Sequence, residues 1–539
     1  MSHSPAPAGT ARTEVLGSTA AVTSSSPAIS LAGARVLADG GNAVDATLAM
    51  AAMAWMVLPG QCGVGGDAFC IVREPDGRVW TVNGSGFGPD GGTTGLYRDQ
   101  GHDALPMTGP QAVAVPGAPA ALATLQAAAS RPLAELWGPA VRVAREGLPC
   151  SAKNIADITA HLTELSRDPR TSKVFLAAGR PPRLGERLVQ ADLASYVQQL
   201  AADPLAFYTG SFADRAVAFL REGGAPFTGD EWVATGSAPA VPAIRVPYGG
   251  AVLHQTPMPS AGWMVLQQAA ICDGLLSEKE QLGPEAVHWL ASAATRAFRD
   301  RFETCGSDNP AWAETLTGAA VGAARRSIEA GLSAAAPGIG VLGDTTSTVC
   351  VDAEGRAVSF IHSLAFTFGA RCVVPGTGVL LNNRLGRGAY LIDGHPNAVQ
   401  PRRKPLHTLN AWLVDDPDRG LLHAGNCPGG DGQVQWNMQV LSHLLDHGDD
   451  PQRAVSLPRF TVFPGSDADV IGQPPELRCE EGLAPETLAT LTGHGHAVRQ
   501  VPLQTGGPGG SALAISLDHD NGVLRAAADP RMEGVALAL

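Results

Sequence analysis

Positive charge is scarce in this chain: 38 Lys and Arg stand against 51 Asp and Glu, a formal charge of −13 over 539 residues. That balance disfavours a nucleic acid or an anionic membrane as partner. The nine cysteines form no C-x-x-C pair and have no histidine at zinc spacing. No metal is implied, and small buried thiols account for nearly all of them. Neither a G-x-S-x-G elbow nor an H-E-x-x-H helix occurs, which removes the handles of an α/β-hydrolase and of a zinc protease. Residues 1–23 are rich in Ser, Ala and Pro but lack a basic stretch followed by an apolar run, so the expected location is cytoplasmic. The 64 glycines and 41 prolines are scattered and build no repeat or low-complexity tail.

What is present suits a large folded body. With 45% hydrophobic and 17% charged residues, the chain can bury one large core or two interlocked ones. Four strand pairs flank turn signals: 68–73 with 79–83, 347–351 with 357–362, 411–414 with 421–424, and 512–517 with 523–527. Helical periodicity separates them, at 29–39, 43–57, 285–303, 433–447 and 486–492. Hairpins covered by amphipathic helices predict a layered α+β fold.

One tripeptide invites a chemical reading. Asp344-Thr345-Thr346 follows the loose run 331–343 and precedes the strand pattern 347–351. Within that run, residues 333–338 are small, uncharged and interrupted by Pro337 and Gly338, as a scissile linker would be. A threonine hydroxyl is a weak nucleophile by itself, but cutting the chain before Thr345 would give that residue a free α-amine able to take its proton near neutral pH. Residues 338–343 also spell G-x-G-x-x-G, the fingerprint of dinucleotide binding. No strand leads into it and no helix follows, so no cofactor is assigned. His362, at a strand end, reads as a packed side chain and not as a base.

Three stretches carry a resemblance along the chain: residues 40–46 (GGNAVDA), 375–378 leading to 381–383 (PGTG…LNN), and Pro428-Gly429-Gly430. Shorter echoes lie at 63–67, 144–147, 259–262, 297–301 and 529–531. In this order they resemble the γ-glutamyltranspeptidase family of N-terminal nucleophile hydrolases. The resemblance implies a four-layer αββα sandwich shared by two subunits cut from one precursor, here 1–344 and 345–539, forming a heterodimer that can dimerise further. It implies Thr345 as nucleophile, Ser363 as the hydroxyl supporting its amine, and Gly429 and Gly430 as oxyanion-hole donors. Asp431 is expected to cap the following helix.

The substrate pocket departs from that pattern. The family's carboxylate-binding arginine is matched by Ser85, and an asparagine that helps hold glutamate by Ala365. A glutamine and an acidic partner for the substrate amine are matched by Arg384 and Arg387, and two serines by His407 and Thr408. Losing an acid and gaining two guanidinium groups favours carboxylate or carbonyl oxygens over a free ammonium group. Residues 402–404, a short basic run, are expected on a solvated face. The expectation is a self-processed threonine hydrolase that opens an amide of a small anionic substrate through an acyl-Thr345 intermediate. Alternatives are hydrolysis of a C–C bond beside an oxalyl-like group in an antibiotic pathway, a true γ-glutamyltransferase or glutathione hydrolase, and an uncleaved binding protein.

Overall fold

The computed structural model describes residues 12–331, 345–466, 468, 473–503 and 510–539. Two seven-stranded sheets make its centre. One runs Val15–Gly17, Val523–Ala528, Leu513–Asp518, Gly420–Asn426, Trp412–Asp416, Ala251–Gln255 and Ile244–Tyr248. The other runs Val535–Ala538, Ala21–Ser24, Thr346–Val351, Ala357–Ser363, Asp67–Arg73, Val79–Gly84 and Ala240–Pro242. The pairings within both are antiparallel. Both sheets take strands from either side of residue 345, so the two segments share one fold and are not separate domains.

Strand alternation explains the stacking. Phe69, Ile71, Val349, Val351 and Ile361 of one sheet meet Leu413, Ala424, Leu513 and Ile515 of the other in a dry layer between them. The residues in between, Cys70, Val72, Cys350, Val358 and Phe360, pack outward against helices. Both faces are therefore apolar, and the central strands read as near-continuous hydrophobic runs. Helices Pro27–Ala38 and Ala43–Val57 cover one side. Helices Gly262–Cys272, Pro284–Thr304 and Gly432–Leu445 cover the other. The order is helix, sheet, sheet, helix.

The 40–46 motif works as a helix start. The Asn42 side chain accepts from the N–H groups of Val44 and Asp45, and the Asp45 carboxylate accepts from Asn42 N at 2.8 Å. This reciprocal cap satisfies donors that burial would otherwise leave unpaired, in a helix whose fifteen residues are all buried. The four expected hairpins form, with Gly77, Gly355, Gly420 and Gly522 at left-handed φ in their turns. All nine cysteines are buried, and none forms a disulfide among the described residues. Among the described residues no helix is long and apolar enough to cross a membrane. Asp344, the 331–344 linker beyond Gly331 and the 338–343 glycine motif lie outside the described residues.

Candidate active site

Register places the first two site residues. Thr346 pairs with His362 across two antiparallel strands, so the next position outward sets Thr345 opposite Ser363. The Thr345 hydroxyl donates to Ser363 Oγ at 3.2 Å, and both residues are buried. Ser363 Oγ also accepts from Ala365 N at 2.9 Å, in a turn where Ala365 takes φ 84°, a left-handed value that costs a residue with a Cβ. By strand alternation Thr345 and Ser363 share the face of Val349 and Ile361, which opens on the space between the sheets. His362 points the other way. Burial pushes its imidazole down to about 3, and it packs on Phe360 with ring centroids 4.9 Å apart.

The glycine pair arrives from the opposing sheet. Strand Gly420–Asn426 runs into Pro428-Gly429-Gly430, and the helix begins at Gly432, one residue earlier than expected. Gly429 and Gly430 take φ 129° and 59°. Their carbonyls accept from the N–H groups of Gly432 and Gln433, while among the described residues their own N–H groups donate to nothing. The turn's place is fixed by bolts between the sheets. Asn426 Nδ2 donates to Ser359 Oγ (2.9 Å) and Phe360 O (3.2 Å), and Ser359 Oγ donates to Gly425 O at 2.8 Å. Asp431 corrects the sequence reading: it stands at the helix start but its side chain caps nothing there. Its carboxylate instead accepts from buried Arg301 at 3.2 Å and from Ser466 N, because an unpaired guanidinium at that depth would be far costlier than an uncapped helix end.

Arg384 and His407 stand beside a buried carboxylate that sequence reasoning left without a role. Asp67, strand partner of Ser363, is fully buried. Burial pushes its carboxyl up to about 6, against the pull of Arg384, whose Nε lies 3.4 Å away, and of Gly117 N. Arg384 is held inside the protein by this contact. Arg387 is likewise buried, donating to Ala365 O at 2.6 Å and lying over the Phe366 ring at 4.5 Å. His407 sits 4.0 Å from Asp67, its imidazole held well below the usual range first by burial and then by the cations Arg384, Lys404, Arg301 and Arg387. It is neutral at physiological pH. Neither its ring nitrogens nor the buried Thr408 hydroxyl has a hydrogen-bond partner among the described residues. Ser85 turns its hydroxyl to Asn83 Oδ1 at 2.6 Å and offers its carbonyl instead.

That carbonyl receives Lys404, the second correction. Arg402 and Arg403 do turn away, to Asp90 and Asp308. Lys404 turns in, donating to Ser85 O at 2.8 Å and lying 5.1 Å from the Phe87 ring centre. The solvated-face expectation fails because Pro405 and Leu406 are buried and draw the end of the run inward. Asp67 had a faint signal, a charge opening an otherwise apolar strand, and Lys404 had none.

Two stacked antiparallel sheets between helical layers, with a hydroxyl residue heading a central strand where the sheets face each other, define the N-terminal nucleophile hydrolase class. Residues 29–539 match the family described as Gamma-glutamyltranspeptidase. The chain is 32% identical to the glutathione hydrolase-like YwrD proenzyme of Bacillus subtilis, over 97% of this chain and 99% of that one. It is 31% identical to the oxamate amidohydrolase proenzyme of Klebsiella pneumoniae, over 93% and 95%. The crystal structure of cephalosporin acylase from Bacillus halodurans superposes with a TM-score of 0.88 at 28% identity, covering 100% of this chain and 99% of that one. The chain belongs to the γ-glutamyltranspeptidase family, and is an enzyme of the hydrolase and acyltransferase kind.

Proposed function

We propose that this enzyme cleaves its own backbone between Asp344 and Thr345 and then hydrolyses an amide of a small anionic substrate. The observation that carries the reading is the 3.2 Å contact between the Thr345 and Ser363 hydroxyls at the head of a central strand. In that cleavage Thr345 Oγ1 adds to the Asp344 carbonyl carbon, the 344–345 C–N bond breaks to leave an ester and an α-amine on Thr345, and water hydrolyses the ester, giving fragments 1–344 and 345–539 as one heterodimer. That amine accepts the hydroxyl proton as Oγ1 bonds to the substrate carbonyl carbon, and Ser363 orients the pair. The oxyanion formed is received by the N–H groups of Gly429 and Gly430. Collapse breaks the C–N bond and returns the proton to the leaving amine, leaving an acyl ester on Thr345. Water, deprotonated by the same α-amine, then attacks the ester, releasing the carboxylic acid and restoring the hydroxyl.

The charge around Asp67 supports an anionic substrate. Arg384, Arg387 and Lys404 all act on the ring of His407, with Asp67 the carboxylate set among them. A relative named for oxamate points the same way, while one named for glutathione favours a γ-glutamyl donor. Acyl donors separate these readings. Expected is turnover of an ω-carboxyacyl anilide lacking an α-amine, negligible release from a γ-glutamyl anilide, and no turnover of either by Thr345→Ala. Efficient γ-glutamyl release would sink the substrate reading, and an active Thr345→Ala would sink the nucleophile.

A further inference from the structure

The pocket's cations are not equally committed. Arg384 is locked to Asp67 and Arg387 to Ala365 O. Lys404 is different. Its ammonium carries three donors, and among the described residues it spends one, on Ser85 O, with no carboxylate within ion-pair distance. It is partly buried. Its backbone is held from both sides: Gly88 N donates to Arg403 O at 2.9 Å, and Leu406 N donates to Gly388 O at 3.0 Å, behind Arg384 and Arg387. Its charge acts on His407, a buried side chain whose ring nitrogens have no hydrogen-bond partner among the described residues, and the buried Thr408 hydroxyl, next in the chain, has none either. An ammonium and an imidazole can both donate, and neighbouring donors of this kind suit an oxygen-rich anion.

We propose that Lys404 is the specificity residue of this enzyme, donating its uncommitted N–H groups to the carboxylate of the substrate's acyl part while Asp67 and Arg384 form the fixed floor behind it. This deepens the anionic-substrate reading and rests on it. The titratable groups facing Lys404 are Asp67 and His407, and Arg384 acts on the same two. Burial brings the ammonium down to about 8, with Asp67 opposing. It is charged below that pH and neutral above it, so carboxylate binding weakens as pH rises through about 8.

The test compares oxalyl-, succinyl- and glutaryl-p-nitroanilide with their methyl esters, in which the distal charge is erased. In the wild-type protein the preference for carboxylate over ester is expected to fall above pH 8, through KM and not kcat. Lys404→Met is expected to lower that preference about tenfold to a hundredfold, the worth of a charge-assisted hydrogen bond, and to flatten its pH dependence. Thermal denaturation and the two-fragment pattern on a denaturing gel report whether the variant folds and matures. A folded Lys404→Met with unchanged preference would overturn the proposal. Should the variant fail to fold, a pH-independent preference in the wild-type protein would overturn it equally. Wild-type protein that turns over no member of either series would remove the anionic-amide reading beneath, a result distinct from turnover indifferent to Lys404.

Discussion

Ser363 has two jobs in the geometry: it accepts from the Thr345 hydroxyl and from Ala365 N. Ser363→Ala removes the one oxygen that accepts both bonds and leaves two buried donors unpaired, so kcat is expected to fall about tenfold to a hundredfold and stability by about 1–3 kcal/mol, with the strand's pairing intact. Steady-state kinetics check this, and full activity in the variant would strip Ser363 of its role. Asp67 is the charged counterpart. Asp67→Ala leaves Arg384 buried without its carboxylate, and breaking such a pair costs about 3–5 kcal/mol. Denaturant unfolding should show that loss, and a variant as stable as the wild type would mean Arg384 is compensated elsewhere. At this scale the meeting of Thr345 and Ser363 was readable in the sequence through spacing and resemblance. It concealed Asp67 and Lys404, whose meaning comes from groups hundreds of residues away, Arg384 for one and Ser85 for the other.

The turn from strand Gly420–Asn426 to helix Gly432–Leu445 holds the proposed oxyanion donors. A Cβ on Gly429 would collide with the Trp436 ring, which donates from Nε1 to Thr461 Oγ1 at 2.9 Å and has no room to retreat. Gly429→Ala is therefore expected to cost about 1–3 kcal/mol in stability and, by tilting the donors, a hundredfold or more in kcat. A variant with wild-type stability and rate would show that this turn neither packs nor catalyses as described. Hairpins were the most legible elements, since each has a short polar turn between alternating residues. Strands Ala21–Ser24 and Val535–Ala538 were not foreseen: they are four residues long and pair with each other across the length of the chain, for which no local signal exists.

For the whole molecule, the sandwich imposes a direction on acid stability. His362 and His443 are buried, and burial holds both near pKa 3, against about 6.5 when unfolded. The unfolded chain binds more protons between those values, so each residue subtracts about 1.4 kcal/mol per pH unit as pH falls below 6.5. Asp67, raised to about 6, acts oppositely as pH rises through that value, but burial also holds His407, His423 and His496 low, and they add to the effect of the first two. The melting temperature is expected to drop between pH 7 and pH 4, and a flat or rising profile would contradict this. Interleaving of segments before and after residue 345 in both sheets means that self-cleavage would yield fragments which stay together. The intact masses and fragment N-termini of purified, active enzyme test the central claim most directly. Two co-purifying pieces, the smaller beginning at Thr345, are predicted; active enzyme in which the 344–345 bond is whole would contradict it.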